Sequence, residues 1–233
     1  MPRARISRIL LPLLLTLLLC SGPLCPNSLA EGKESREVKF RWAFGAMVGN
    51  SSAPRAERVS GDTILNSGDK LRVMIELRKK CFVYLIHLNS QGEITMLFPY
   101  NLKQFDTDYE PGRRYYVPKG EAWFQLDTRT GKEIFNLIAS DQRLLDIEYL
   151  YDMYVSAGPL KKPELAERMA SEIGSLRRQY QVSGGQAEVL ARNEAEHRGF
   201  ERATGADPLD IAGLAMDVSF NNLYSKTITV EHR

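Results

Sequence analysis

The sequence predicts an α+β protein, mainly antiparallel β and sandwich-like, with a C-terminal helical elaboration before a closing strand. Three observations carry this. Leu71, Val73, Ile75 and Leu77 alternate with Arg72, Met74, Glu76 and Arg78, the period-2 pattern of a half-buried strand. Cys81 to Leu88 is apolar on both parities, with Phe82, Tyr84, Ile86 and Leu88 on one face and Cys81, Val83, Leu85 and His87 on the other; such a strand sits centrally and is covered on both sides. Beyond residue 140 the apolar period lengthens to helical spacing, and the chain then ends on SKTITVE, a strand again.

The remaining elements follow in order. Val38 to Phe44 alternates with Phe40, Trp42 and Phe44 on one face and Lys39 and Arg41 on the other, a strand expected at a sheet edge. Residues 49–54 form a turn-rich loop. Asn89-Ser90-Gln91-Gly92 turns the doubly apolar strand back, with Gly92 suited to a positive φ, and Pro99 stops the returning strand 93–98. Residues 101–112 are polar and acidic. Strands are expected at 113–118 and at 121–126, which holds Trp123. A turn at Asp127 to Gly131 should bring 133–139 back as the hairpin partner of 121–126.

Ser140 is the expected cap of a helix in which Leu144, Ile147, Tyr151 and Tyr154 recur at steps of three and four, ended by Gly158-Pro159. Pro163 to Gln181 makes a second helix, with Leu165, Met169, Ile173, Leu176 and Tyr180 on one stripe, broken by Gly184-Gly185. Residues 186–202 read as a weaker third helix, and Asp207-Pro208 opens a short turn or helix to Met216. The strand at 225–231 is expected to pair with an early one, and the helices to cover the second apolar face of 81–88.

Residues 1–30 read as a secretory leader: Arg3, Arg5 and Arg8 precede the apolar run Ile9 to Leu19, which is too short to span a ~30 Å bilayer core, and Ser28-Leu29-Ala30 is a small-x-small cleavage signal. Cys20 and Cys25 each follow a Leu, so neither fits lipid attachment. The expected mature chain, 31–233, is a single β-rich domain with no transmembrane segment, placed in the periplasm or secreted. Without the three leader arginines, the 31 Lys and Arg fall to 28 against 29 Asp and Glu, a balance that gives no electrostatic footprint for nucleic acid. Only Cys81 survives processing, so no intramolecular disulfide is expected.

Leu65-x-x-Gly68-Asp69-x-Leu71-Arg72-Val73, then Val83-Tyr84-Leu85, then Gly92-x-Ile94-x-x-Leu97-Phe98-Pro99 resemble the bacterial domain-of-unknown-function 4384 family. Gly112 to Pro118, Gly131-x-Glu133 and Ile138-Ala139-Ser140 extend the resemblance over residues 36–156 and the final strand 225–233; residues 159–224 lie beyond the usual module. The resemblance implies a secreted or envelope-associated β-rich module, joined in other proteins to kinase-like or caspase-like domains. It brings no catalytic residue.

The chemistry-bearing residues weigh the same way. Cys81 and His87 lie six residues apart on one strand, hence about 20 Å at ~3.3 Å per residue, whereas a nucleophile and its base meet at ~3 Å. Asp106-x-Asp108-x-Glu110-x-Gly112 approaches a calcium loop, but the Gly falls one place late and position twelve is Val117. Arg129-Thr130-Gly131-Lys132 lacks the earlier Gly of a phosphate loop, Leu126 standing in its place. The richest surface is the loop 99–116, whose Tyr100, Phe105, Tyr109, Arg113, Arg114, Tyr115 and Tyr116 are of the kinds that anchor partners. The expectation is a non-enzymatic extracytoplasmic binding or scaffolding module with no catalytic, cofactor or metal residues, serving an envelope or secreted protein partner through that loop. A hydrolase with a site assembled from distant residues, or a calcium-binding envelope protein, is the alternative.

Overall fold

A computed structural model describes residues 37–48, 54–182, 188–190 and 210–233, all within one unit, Ser35–Arg233. The leader at 1–30 lies outside the described residues, as does most of the helix expected at 186–202. The elements run β1 (Glu37–Val48), β2 (Arg55–Arg58), β3 (Thr63–Leu65), β4 (Lys70–Leu77), β5 (Phe82–Leu88) and β6 (Ile94–Phe98). Then come the single helical turn α1 (Gln104–Thr107), β7 (Arg114–Val117), β8 (Phe124–Gln125), β9 (Gly131–Ser140), α2 (Leu145–Ser156) and α3 (Lys162–Val182). After β10 (Glu188–Leu190), a 3₁₀ turn at Ile211–Leu214 leads into β11 (Met216–Asn221) and β12 (Leu223–His232). Among the described residues no helix is long and apolar enough to cross a membrane.

Two sheets face each other. The first runs β10-β11-β1-β4-β7, with β2 beside β1 and β8 beside β4; the second runs β3-β12-β9-β5-β6. Every pairing is antiparallel except β3 with β12. The alternation read from the sequence sets what fills the space between them: Phe40, Trp42 and Phe44 of β1, Val73 and Ile75 of β4, and Val83 and Leu85 of β5 are all buried there. The opposite parity of β5 builds a second core. Tyr84 and Ile86 pack against Ile147 and Leu150 of α2 and Leu165 and Met169 of α3, so the helices cover the outer face of the second sheet as the double apolarity of β5 requires. Tyr84 fastens that layer: its hydroxyl donates to Glu148 Oε1 at 2.6 Å and accepts the Leu144 N–H at 3.0 Å, while Arg143 Nη2 donates to Glu148 Oε2 at 2.5 Å.

Four local expectations are corrected. First, β1 is no edge strand: β4 flanks it on one side, β11 and β2 on the other. Its Lys39 and Arg41 mark a solvent-facing side where they meet Glu37 at 2.7 Å and Asp217 at 3.6 Å, and a one-sided antiparallel sheet carries charge on its outer face as readily as at its rim. Second, β9 does not return beside β8. β8 pairs with β4, and β9 with β5 and β12, so the turn 127–131 crosses from one sheet to the other. Third, Ser140 ends β9 rather than capping α2; its hydroxyl accepts the Gln142 N–H at 3.2 Å, and the helix starts at Leu145. Fourth, residues 188–190, expected in a helix, form a strand on β11. The expectation that β12 pairs with an early strand holds: it joins β3, and its longer partner is β9.

The 3₁₀ turn sits on the outer face of the first sheet, and Gly45 of β1 makes room for it: a Cβ built there would lie 2.4 Å from Ile211 Cγ2. Gly45→Ala is expected to force this turn off Ala43 and Met74 and to cost roughly 1–3 kcal/mol, the usual penalty for overfilling a packed site, read as a lowered urea midpoint; an unchanged midpoint would mean the turn yields freely.

Candidate functional site

The loop after β6 is the first place to look, and the structure turns most of its aromatic rings inward. Phe105 and Tyr115 are buried. Tyr109 lies between Phe82, Phe98, Phe105 and Tyr115, with ring centroids 4.9–6.5 Å away, and its hydroxyl accepts the Val83 N–H at 2.8 Å. Half-buried Tyr100 donates to the Tyr116 carbonyl at 2.6 Å, and the Arg72 guanidinium covers the Tyr116 ring at 4.2 Å. Exposed Arg113 and Arg114 are held by Asp108 and Glu76. Phe105 and Tyr115 are therefore core residues, with half-buried Tyr109 packed against them, and a partner at this loop would meet Arg113, Arg114 and the outer edges of Tyr100, Tyr109 and Tyr116. Their Tyr and Arg chemistry suits both a hot spot and the rim of a core, which is why composition did not separate the two. Asp106 and Asp108 of the calcium-like stretch face Arg143 and Arg113. Cys81 is fully buried and unbridged, and burial pushes its thiol up to about 12, the opposite of an activated nucleophile.

The chemistry gathers elsewhere, at the end of the sandwich where β5 runs into its turn. A pocket of about 230 Å³ opens there between the turn 89–92 and the segment 124–131. Leu71, Leu97, Phe124, Leu126 and Phe135 give it an apolar lining, and His87, Gln91, Asp127, Arg129, Glu133 and His232 its polar groups. His87 is the last inner-face position of β5. Its ring lies on Phe135 at 4.5 Å and 16°, and its Nε2 meets Glu133 Oε2 at 2.6 Å. Glu133 Oε1 accepts the Ser90 N–H at 3.3 Å. Asp127 accepts both the Arg129 N–H and Nε at 2.8 Å, and Arg129 Nη1 donates on to Gln91 at 3.1 Å. The backbone and then the guanidinium of Arg129 hold the Asp127 carboxyl below its usual range. Gly131, at φ +140, lets the crossing turn close on the hairpin: a Cβ there would lie 2.6 Å from Ser90 Cβ.

Residues 64–143 match the family described as Domain of unknown function (DUF4384). No curated protein and no solved structure matches the chain. The DUF4384 match runs from within β3 to just past β9 and supplies every residue lining the pocket except His232, which β12 brings in from outside it.

His232 invites a catalytic reading, because its Nε2 lies 3.1 Å from Ser67 Oγ, with Asp127 lining the same pocket. The backbone around Ser67 argues against acyl transfer. Ser67 N–H donates to Arg233 O at 2.9 Å, Gly68 N–H to Leu126 O at 2.9 Å and Asp69 N–H to Asn66 O at 3.0 Å. All three amides are consumed, and none is left to receive an oxyanion. The Ser67–His232 contact instead ties the turn 66–69 to the end of β12. Sequence reasoning did not name Glu133, His232, Arg129 or Gln91 as site residues; the Gly131-x-Glu133 spacing, the Arg129 to Lys132 stretch and the turn 89–92 touched three of them without joining them.

Two outcomes follow. Tyr109→Ala is expected to cost about 3–5 kcal/mol as an emptied aromatic site, and Tyr109→Phe about 1–3 kcal/mol by stranding the Val83 N–H; denaturant titration checks both, and a silent Tyr109→Ala would return this ring to the surface. Burial holds the His87 imidazole below its ordinary value, against the opposing pull of Glu133. Above pH 7 both folded and unfolded chains carry it neutral, whereas below ~6.5 the unfolded chain takes the proton first. Stability is therefore expected to fall as pH drops from 7.5 to 5.5, and His87→Gln to flatten that slope; identical slopes would show the shift to be absent.

Proposed function

We propose that this chain is a non-enzymatic extracytoplasmic binding module that serves an envelope or secreted partner, and that its ligand seat is the pocket at the end of the sandwich rather than the aromatic loop. The observation that carries this is the state of the pocket's polar groups. His87, Glu133, Asp127, Arg129 and Gln91 already satisfy one another, which makes a rigid, shaped rim over an apolar floor, the form of a recognition site. The leader-like first thirty residues support an extracytoplasmic address. At about 230 Å³ the pocket falls below the ~300–1,000 Å³ of sites for drug-sized ligands, so it suits a small molecule or one side chain of a partner.

Cross-linking of the full chain in envelope fractions tests this. Gln91→Trp and Phe124→Glu replace exposed lining residues. They are expected to weaken capture of the cross-linked partner by about tenfold, or ~1.4 kcal/mol, with an unchanged melting temperature. Undiminished capture would move the site away from the pocket, and ester turnover abolished by His87→Gln would replace the binding reading with an enzymatic one.

A further inference from the structure

We propose that the pocket recognises a small organic cation, a primary ammonium or guanidinium on a short apolar stem, with Glu133 as its counter-charge; this rests on the pocket being the ligand seat.

The charge balance points to that class. Arg129 is the one Arg or Lys lining the pocket, against two lining carboxylates, Asp127 and Glu133. Asp127 already holds the guanidinium in a two-point grip with its backbone. Glu133 has no such partner. It is only 6% exposed, and both its hydrogen bonds come from the Ser90 amide and His87. His87 is kept neutral by burial near pH 7, so it supplies a hydrogen bond to Glu133 without a compensating charge. A buried carboxylate left with hydrogen bonds but no cation gains from one that brings its own donors.

His232 is the second, independent observation. It is 2% exposed, lines the pocket, and has only its Nε2 engaged, opposite Ser67 Oγ. Ser67 Oγ also faces the Arg233 carbonyl at 3.5 Å. His232 Nδ1 has no hydrogen-bond partner among the described residues, and in the tautomer whose Nε2–H donates to Ser67 Oγ it presents a lone pair. An ammonium has three donors and no acceptor, and so matches a carboxylate and an imidazole lone pair together. Phe124, Leu126 and Phe135 would hold the methylene stem, as apolar surface holds the stem of a lysine. A carboxylate ligand meets the opposite conditions: an excess of acid and one guanidinium already occupied.

Three probes of one shape, n-pentylamine, n-pentanol and pentanoate, separate the possibilities by amide NMR shifts of the ¹⁵N-labelled chain. Pentylammonium is expected to move the Ser90, Gln91, Arg129 and Glu133 amides saturably and to bind about tenfold tighter than the alcohol, a charge-assisted increment of ~1.4 kcal/mol, with pentanoate weakest. Glu133→Gln should bring the amine down to the alcohol's level while the alcohol still binds. Asp127→Asn, at an exposed position, gives a smaller loss in the same direction and serves if Glu133→Gln does not fold. Nα-acetyl-lysine N-methylamide distinguishes the sources: tighter binding than pentylamine points to a basic side chain of a partner, weaker binding to a free amine, and either supports the class. Equal or tighter binding of pentanol or pentanoate overturns the cation and leaves the ligand seat standing. No shift with any probe overturns both.

Discussion

Strand β5 has no face it can give to water, and the architecture follows from that. Val83 and Leu85 need the opposing sheet, while Tyr84 and Ile86 need a second cover, which α2 and α3 provide. Burying the larger side chains among them is worth ~1.5–3 kcal/mol each, so the helices are part of the fold's stability rather than an ornament on a complete sandwich. The cover also carries a polar obligation. Tyr84 brings a hydroxyl into the helix–sheet contact, and Glu148 with Arg143 satisfies it there. Removing one member would strand the others in a low-dielectric layer, where an unpaired group costs more than the pair contributes. The same double cover has an end. At His87 the apolar run stops, the ring is still partly enclosed, and Glu133 reaches across from β9 to meet it. The pocket exists because the coverage that β5 demands ends one residue before the strand does.

The opposite problem arises along the side of the sandwich. β6 and β7 are the outer strands of their sheets and are joined by residues 99–113. A gap between two sheet edges would admit water to Phe98 and Val117, both buried. The connection fills it with rings that carry their own polar ends. Tyr109 accepts from Val83, Tyr115 from Glu110, and Tyr100 donates to Tyr116. Tyrosine suits such a seam because its body excludes water and its hydroxyl answers an edge amide or carbonyl. Edge strands sealed in this way also offer little to a passing chain.

What the sequence revealed and what it hid divide along contact range. Period-2 alternation exposed β1 and β4, a run apolar on both parities exposed β5, a turn and Pro99 framed β6, and period-3.6 stripes exposed α2 and α3, because each is a property of one contiguous segment. β2, with the sequence RAER, and β3 carry too few residues for a period to show. β11 escaped because 3₁₀ and strand meet within a few residues of Ala215. The edge placement of β1 failed because charge on alternate positions reports an outer face, and only pairing decides whether that face lies at a rim. The site was hidden more thoroughly. His87 and Glu133 are 46 residues apart, Gln91 and Arg129 are 38 apart, and Ser67 and His232 are 165 apart. No motif spacing spans such distances; they are set by β5 and β12 both pairing with β9.

That pairing also decides which surface is free to do something. In the aromatic loop, hydrogen bonds and ring contacts are closed among the residues themselves, so a ligand there would have to displace part of the core. In the pocket the groups are closed pairwise, yet their charges are not: two carboxylates, Asp127 and Glu133, line it with one guanidinium, Arg129, in a chain whose expected mature form is almost neutral overall. Hydrogen bonding is directional and can be saturated by neighbours, but an excess of one sign in a partly desolvated recess persists until an opposite charge arrives. The fold thus closes hydrogen bonds both along the side of the sheet pair and at its end, and leaves an excess of negative charge at the end.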